Sequence, residues 1–312
     1  MAVNNSTMLE TIEEGLNEVF YDTYNMEMLP DEAKIEDIFN GGKSKKHAEY
    51  DLENRGVGRF SEKGEEEDIP EDDIEEKYKT TYTHVAFSNS VPVTYEQMED
   101  QLYGLIKENV GEMGEAAQDT QYFNAFSILR NGFDNAYLGA DGQPLFDTDH
   151  PRDFGGVLSN KLTGKLTPDT LDQGIQLMSA QKSHSGRQVR SRPKFLLVAP
   201  KNFRRAVEIT EAELVPQSAN NGPNVFSSKY QLYVKQSTYL GSIEGGNDDA
   251  WFLIGRKHKL KRFIRTPLMT WMTPWQQSRK MFTYYNAYYR ESYGWSSPTG
   301  LVGSDGTTGS YN

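Results

Sequence analysis

The aromatic stretch near the C-terminus is WMTPWQQSRKMFTYYNAYYRESYGW, at Trp271–Trp295, in which nine of 25 residues are aromatic. In a strand, alternate side chains point to opposite faces. That period places Phe282, Tyr284 and Tyr288 on one face and Tyr285 and Tyr289 on the other. A strand that is wet on one side alternates apolar and polar residues. The pattern therefore predicts a strand over 280–290 that is packed on both faces, either inside a domain or between chains.

The composition bounds the classes of function. The chain has 312 residues, enough for two modest domains or one elongated fold. It carries 25% charged residues and a net charge of −12, and no apolar run approaches the roughly 18 residues of a membrane helix. The absence of cysteine excludes disulfides, thiolate zinc sites and cysteine nucleophiles. The acidic total argues against a dedicated nucleic-acid binder, since affinity for phosphate comes mainly from clustered Lys and Arg.

Charge is unevenly placed along the chain. Ten of the fifteen residues in 62–76 are acidic, whereas 187–205 holds seven basic residues and 256–265 holds six, with no acid in either. The acidic run lies in 41–76, which has few apolar residues and is either a disordered acidic loop or a long hairpin-like excursion that packs on another molecule. The following stretch, KYKTTYTHVAFS at 77–88, is typical of the returning strand.

A long helix is predicted next. Thr94 and Gln97 form a capping-box pattern, apolar residues recur at helical spacing as far as Leu129, and Asn131-Gly132 is a stop signal. Such a helix would have up to about forty residues and a length of roughly 60 Å. Its glycines predict a bend or break. They are Gly104, Gly111 and Gly114.

The residues from 167 to 255 predict a compact mixed α/β domain. LTPDTLDQGIQLMSAQK starts a helix with Thr167 as its cap, and RPKFLLVAPKNFRRAVEI is typical of a buried strand followed directly by a helix. YQLYV and AWFLIG are two further core strands. The tail GLVGSDGTTGSYN is small and polar, which predicts a loose end.

The sequence offers only weak candidates for a catalytic or metal site. GGKS at 41–44 resembles the end of a phosphate-binding loop, but Asp37 stands where the first glycine belongs and no buried strand precedes it. Asp147, Asp149 and His150 are candidate metal ligands, yet Asp-Thr-Asp-His-Pro is more typical of a turn whose aspartates cap backbone amides. We therefore predict no catalytic, cofactor-binding or metal site.

The order of these elements and the amino-acid sequence of several stretches resemble those of a known family. The likeness is carried by ADGQPLFDTDHP, LTPDTLDQGIQLMSAQK, RPKFLLVAPKNFRRAVEI, PQSANNGPN, YLGSIEGGNDDAWFLIGRKH and the aromatic stretch, over about half the chain, 140–295. The family is the major capsid proteins of tailed bacteriophages, and these sequence stretches are most similar to the major head subunit of Mu-like phages. The first ninety residues match only in plan.

The resemblance implies an α+β fold of the Hong Kong 97 type. It divides the chain into an N-terminal arm (1–40), an extended loop (41–90), a peripheral domain with a long spine helix (91–135), an axial α/β domain with its connection (136–255), and return strands of the peripheral domain with the C-terminal tail (256–312). The first ninety residues of this plan rest on the order of the elements alone.

The resemblance also implies function. The chain would be a structural protein without enzymatic activity or cofactor that assembles in the host bacterial cytoplasm into hexamers and pentamers of an icosahedral shell. That shell would enclose double-stranded DNA without sequence-specific binding, and no membrane would be involved. The implied partners are scaffold and portal proteins, with a decoration protein and a maturation protease as further ones.

Intersubunit contacts are expected where charge or aromatic surface is concentrated. In the family, the extended loop lies over an adjacent subunit, which would pair the acidic run with the basic ones. The expected contact residues are Glu65, Glu66, Glu67, Asp68, Asp72, Asp73, Arg187, Arg190, Arg192, Arg204, Arg205, Arg262, Arg265, Tyr285, Tyr288 and Tyr289.

Two alternatives remain open from the sequence. A tail or tube protein of the same virus would assemble into rings or helical tubes. An enzyme built on the α/β domain, with Asp147 and His150 at a metal site, would form small discrete oligomers. A long helix that follows an extended loop favours the capsid.

Overall fold

The computed structural model describes residues 5–27, 29–66, 68–69, 71–72, 75–94, 96–97, 100, 102–153, 156–214, 223–273 and 282–307, with side chains from residue 11 onward. The α-helices are α1 (Asn5–Tyr24), α2 (Ile35–Ile38), α3 (Tyr103–Arg130), α4 (Pro168–Ala180) and α5 (Pro200–Thr210). The strands are β1 (Asn40–Lys43), β2 (Ala48–Asn54), β3 (Glu76–Thr83), β4 (Val85–Thr94), β5 (His150–Pro151), β6 (Val157–Leu158), β7 (Lys161–Leu162), β8 (Pro193–Val198), β9 (Tyr233–Gln236), β10 (Trp251–Gly255), β11 (Leu260–Thr273), β12 (Phe282–Trp295) and β13 (Leu301–Ser304).

The aromatic stretch forms the centre of a four-stranded sheet with the order β1-β11-β12-β4. Strand β12 is antiparallel to both of its neighbours and extends beyond the predicted 280–290, whose first two residues lie outside the described part of the chain. Helices α1 and α3 cover one face of this sheet. The core between them contains Leu16, Phe20, Val93, Ile106, Val110, Met113, Tyr285 and Ala287.

The long helix α3 has 28 residues and begins later than the sequence predicts. Thr94 and Gln97 do make the reciprocal hydrogen bonds of a capping box, at 3.0 and 3.1 Å, but the described long helix starts at Tyr103. It runs unbroken from Tyr103 through Gly104, Gly111 and Gly114, so a break at these glycines is wrong. A Cβ at Gly114 would lie 2.5 Å from the Phe20 carbonyl oxygen, and the glycine therefore lets α1 approach closely.

The α/β domain is built on a five-stranded sheet with the order β7-β13-β10-β8-β9. Helices α4 and α5 pack on one face, in a core that includes Leu171, Ile209 and Trp251. The other face packs on the C-terminal half of α3 through Phe126 and Leu129. The capping box at Thr167, the buried strand β8 and the helix after it confirm the predicted pattern.

The C-terminal stretch corrects one prediction. Leu301–Ser304 is a fully buried strand inserted between β7 and β10, not a loose end. Its apolar residues alternate between the two cores, with Leu301 facing α3 and Val302 facing α4. Gly303 fits closely, because a Cβ there would lie 2.8 Å from Phe146. The small residues of this stretch reflect tight packing inside the sheet.

Candidate assembly surfaces

The acidic excursion is carried by a hairpin of β2 and β3. The two strands are antiparallel, from Ala48 opposite Thr83 to Asn54 opposite Glu76. This geometry confirms the hairpin-like interpretation for the strands. Beyond them, the Gly58 amide donates a 2.5 Å hydrogen bond to the Asp72 carboxylate, which brings the two limbs of the excursion together. Beyond the strands, Phe60 is 98% exposed and Ile69 is 77% exposed.

A buried polar cluster anchors the hairpin to the rest of the subunit. Glu53 of β2 lies 3.3 Å from the Arg152 guanidinium and 3.5 Å from His184, and it accepts a 2.6 Å hydrogen bond from Ser297. The ring of Tyr78 on β3 lies beside the His184 ring, with centroids 5.5 Å apart and the ring planes tilted by 57°. Burial alone would raise the pKa of Glu53, but the bonds from His184 and Ser297 and the charge of Arg152 outweigh it and lower that pKa.

A second buried contact lies where the hairpin joins the four-stranded sheet. His84, between β3 and β4, has Nδ1 at 3.0 Å from Ser292 Oγ and Nε2 at 3.0 Å from Ser44 Oγ. Ser44 also donates a 2.8 Å hydrogen bond to Glu49. Burial and nearby arginine charge lower the pKa of His84. The neutral ring therefore joins β12, the end of β1 and the start of the hairpin at neutral pH.

The structure describes four of the six predicted acidic contact residues. Glu65, Glu66, Asp68 and Asp72 lie beyond the hairpin strands and are exposed. Glu67 and Asp73 lie outside the described residues. Exposed side chains at these places can meet a neighbour, and their intersubunit role stays a prediction.

The predicted basic residues occupy different elements. Arg187, Arg190 and Arg192 are exposed on the loop between α4 and β8. On α5, Arg204 pairs with Glu208 at 2.8 Å, and Arg205 Nε donates a 2.6 Å hydrogen bond to the Leu166 carbonyl. The structure thus brings the first three together on one loop and leaves the helical pair engaged within the subunit. Another predicted basic contact residue, Arg265, lies on β11 and is half-buried.

Arg262 was expected at an intersubunit surface, but the structure places it in the interior of the subunit. Its guanidinium is buried and donates 2.9 Å hydrogen bonds to Glu291 and to Glu36, with a third bond of 3.2 Å to Gln121 of α3. Burial raises the pKa of Glu291, and the charge of Arg262 counteracts part of that rise. Arg262 therefore holds α3, β11, β12 and the N-terminal segment together and does not face a neighbour.

The aromatic residues separate by face. Tyr285 and Tyr289 are 0% and 4% exposed, so they belong to the subunit interior, which corrects their expected intersubunit role. Tyr288 lies on the opposite face of β12 and is half-buried. The same face carries Met269 and Trp271 of β11, which are 45% and 38% exposed. One face of β12 thus packs on α1 and α3, and the other presents partly exposed aromatic surface.

The candidate metal and phosphate sites have structural roles. Asp147 accepts hydrogen bonds from the amides of Thr148 and Asp149, as the turn interpretation predicts. His150 is buried with Nδ1 at 2.7 Å from Asp141. Gly41–Ser44 runs along β1 and its end, parallel to β11. Across the described ranges, no group of three or more His, Asp or Glu side chains is placed to hold a metal ion.

Four further basic residues, three of them from the predicted basic run 256–265, were not among the expected contact residues. Arg59, Arg256, Lys257 and Lys259 line the same cleft as Arg187. The basic run RKHK directly after a buried strand was the available signal. No helix in the described part of the chain combines the length and the apolar character that crossing a membrane requires.

Comparison with known proteins identifies the family of the chain. Residues 77–303 match the sequence model of a family described as phage capsid protein. No curated protein sequence matches the chain.

Solved structures share the fold at low identity. The virus-like particle from Pyrococcus furiosus is 10% identical, with a TM-score of 0.55 over 93% of this chain and 98% of that one. The capsid of an empty GTA particle is also 10% identical, with a TM-score of 0.55 over 91% and 92% of the two chains. The capsid of bacteriophage JBD30, decorated with minor capsid protein trimers, is 17% identical, with a TM-score of 0.54 over 70% and 93%.

The likeness to these particles establishes the mixed α and β fold of the Hong Kong 97 type. The family match extends from the returning strand of the hairpin to the buried C-terminal strand and so spans both sheets. The chain belongs to the phage capsid protein family.

Proposed function

We propose that this chain is the major head protein of a tailed bacteriophage and that copies of it assemble into the closed icosahedral shell around a double-stranded DNA genome. The observation that carries the proposal is the family match over 77–303, on a chain with the capsid fold. In the virion, the protein is located in this shell.

The form of the subunit supports assembly. The hairpin and its tip carry exposed Phe60 and Ile69 and many acidic groups, and these make few contacts with their own subunit. Segments of this composition bury too little apolar surface to fold alone and gain order from a partner. A shell protein needs large contacts with several neighbours, and the exposed residues beyond the hairpin strands supply surface for one. We infer that these residues contact neighbouring copies in hexamers and pentamers.

The net charge of the chain supports a role in enclosing DNA. A net charge of −12 disfavours tight binding of phosphate backbones, so a shell of such chains encloses DNA without gripping it. We propose scaffold and portal proteins as assembly partners in the host cytoplasm, with a decoration protein and a maturation protease as further ones. The protein acts as a structural component without catalytic turnover of its own.

Expression of the full chain in bacteria, alone and with its scaffold protein, tests the proposal. Sedimentation and negative-stain electron microscopy should show capsomers and closed shells. Tubes or stacked rings would favour a tail protein. Stable monomers or dimers under all these conditions would contradict the proposed function.

A further inference from the structure

A basic cleft lies beside the hairpin, where β2, the loop between α4 and β8, and the turn after β10 meet. It consists of two adjoining cavities of about 600 and 460 Å³ that share Arg187, Gln188, Val189 and Lys257. These volumes are those of small-molecule sites, roughly 300–1,000 Å³. Six exposed Lys or Arg residues line the basic cleft. They are Arg59, Arg187, Arg190, Arg256, Lys257 and Lys259.

The positive charge of the basic cleft is not neutralised by the residues that the structure describes. Two carboxylates also line it, but Asp51 pairs with Lys261 and Glu53 with Arg152, neither of which is among the six cations. None of the six forms an ion pair with a described carboxylate. Like charges gathered in a concave surface raise the local positive potential and attract anions.

The arginines of the basic cleft supply free hydrogen-bond donors. Among the described residues, the side chains of Arg187, Arg190 and Arg256 have no hydrogen-bond partner, so their N–H groups are open to a ligand. A guanidinium presents five donors in a planar fork that matches two phosphate oxygens at once. His258 in the wall adds no charge at neutral pH, because burial and nearby lysine charge lower its pKa to about 4. Anion binding at neutral pH would therefore depend on the Lys and Arg side chains.

The loop that presents Arg187 and Arg190 is held in one conformation. The Ser183 amide donates a 2.8 Å hydrogen bond to the Arg187 carbonyl, and Lys257 Nζ donates one of 3.1 Å to the Val189 carbonyl. Arg190 has a φ of 51°, a left-handed conformation that non-glycine residues rarely adopt. Such strain persists where the surroundings impose it, often at binding sites. The cations are therefore preorganised, which reduces the entropic cost of binding.

The composition of the lining selects the class of ligand. Six cations match an anion of high charge, and linked phosphates concentrate more charge in this volume than a peptide, which carries at most one carboxylate per side chain. No Phe, Tyr or Trp is among the lining residues, so the cleft offers no surface on which a nucleobase could stack. Duplex DNA is disfavoured, because the net charge of −12 repels a long polyanion and a duplex is too broad to enter cavities of this volume.

We propose that the basic cleft binds a small polyphosphate, a ligand with three or more linked phosphate groups such as inorganic triphosphate or the phosphate chain of a nucleoside triphosphate. The inference goes beyond the proposed function and does not depend on it, because one subunit forms the whole cleft. The phosphates contact Arg187 on the loop before β8, Arg256 on the turn after β10 and Arg59 in the chain beyond β2. The ligand thus joins three segments whose like charges repel one another when the cleft is empty.

Isothermal titration calorimetry of the full-length, unassembled subunit tests the site, with inorganic triphosphate as the probe. The affinity should rise from phosphate through diphosphate to triphosphate. It should fall as salt rises from about 0.05 to about 0.5 M, because screening shortens the Debye length. ATP should bind within about threefold of inorganic triphosphate, since the cleft contacts phosphates and not the base. Binding of ATP without binding of inorganic triphosphate would overturn the inference.

Charge-matched variants locate the binding site. The double change Arg187→Gln and Arg256→Gln should weaken triphosphate binding at least about tenfold. Lys107→Gln with Lys229→Gln removes the same charge at two exposed positions outside the basic cleft, and it should leave the affinity nearly unchanged. Both pairs of side chains are exposed, so thermal unfolding without ligand should match the wild type and show that the variants are folded. In the wild-type chain, triphosphate should also slow amide hydrogen exchange in 183–192 and 255–259 but not in α3.

Three further results would overturn the proposal. One is the absence of triphosphate binding by the wild-type subunit at low salt. Another is equal weakening by the two double variants, which would show an effect of net charge alone. The third is binding of hexaglutamate or of a DNA duplex more tightly than triphosphate, with loss of that binding in the cleft variant, which would reassign the cleft to an acidic peptide or to nucleic acid.

Discussion

The hydroxyl of Tyr285 donates a 2.7 Å hydrogen bond to Asn17 Oδ1, which ties the aromatic strand β12 to the N-terminal helix α1. The Thr270 hydroxyl of β11 donates to the same oxygen, also at 2.7 Å. Close by, the ring of Tyr285 packs on Phe20, with centroids 6.1 Å apart. Residues from the two ends of the chain thus share one core, and this explains why tyrosine occupies a fully buried position.

The first prediction concerns this contact. Tyr285→Ala should lower the free energy of unfolding of the unassembled subunit by about 3–5 kcal/mol, because it leaves a cavity in the core. Tyr285→Phe should lower it by about 1 kcal/mol, the net contribution of one hydrogen bond. Tyr288→Ala, on the half-buried face, should affect the subunit less and particle yield more. Urea unfolding and sedimentation measure both effects, and equal destabilisation by the two alanine variants would contradict this assignment of faces.

The second prediction concerns the contact between α1 and α3. Gly114→Ala should destabilise the subunit by about 1–3 kcal/mol, because the new methyl group would overlap the Phe20 carbonyl and the Thr23 side chain. Gly15→Ala is the matched control. A Cβ at Gly15 meets nothing within 4 Å, so the higher helix propensity of alanine should stabilise by about 0.5–1 kcal/mol. Thermal unfolding should therefore shift in opposite directions, and a stabilised Gly114→Ala variant would contradict the close helix packing.

Sequence reasoning succeeded where local chemistry decides the structure. The Thr167 cap, the buried strand β8 and the existence of the aromatic strand β12 follow from short-range patterns, whereas only one face of β12 is fully buried in the subunit. It failed where a long-range partner decides. Gly114 resembles a helix breaker until α1 is placed against it, and Leu301–Ser304 resembles a loose tail until β10 pairs with it.

The placement of the charged residues was foreseen in part for the same reason. The charge runs indicated exposed acidic residues beyond the hairpin strands and the exposed Arg187 and Arg190, since blocks of like charge are visible in a sequence. Arg262 lies in the other basic run, 256–265, yet its partner Glu291 is 29 residues away and on the neighbouring strand. Only the register of β11 against β12 reveals that this arginine is buried.

The third prediction concerns pH. Glu32 lies where the N-terminal segment joins the edge of the five-stranded sheet, and the next residue, Ala33, donates a 2.8 Å hydrogen bond from its amide to the Gln236 carbonyl. Burial raises the pKa of Glu32 to about 7, and Thr238 and Ser237 beside it offset only part of that rise. An unfolded glutamate has a pKa of about 4.3. The stabilisation by the protonated carboxyl is therefore complete below about pH 4 and is lost as the pH rises through about 7.

Glu32→Gln isolates this effect, because the amide mimics the protonated carboxyl without titrating. At pH 4 the two proteins should have similar free energies of unfolding, whereas at pH 8 the variant should be more stable by on the order of 2 kcal/mol. Urea unfolding of the unassembled subunits between pH 4 and 8 measures the difference. A difference that stays constant over this range would show that Glu32 is not titrating in the folded subunit.

The last prediction concerns the cluster that anchors the hairpin. Glu53→Gln leaves the Arg152 guanidinium buried without its carboxylate, and breaking a buried ion pair costs about 3 kcal/mol or more. Because Glu53 lies on β2 and Arg152 on the body of the subunit, that cost should appear as loosening of the hairpin. Amide hydrogen exchange should then rise across β2 and β3 but not across β8 and β10. Glu75→Gln, which removes only an exposed contact with Lys77, is the control and should leave exchange in β2 unchanged. Uniform exchange increases throughout the subunit would mean that Glu53 supports the whole fold and not the attachment of the hairpin.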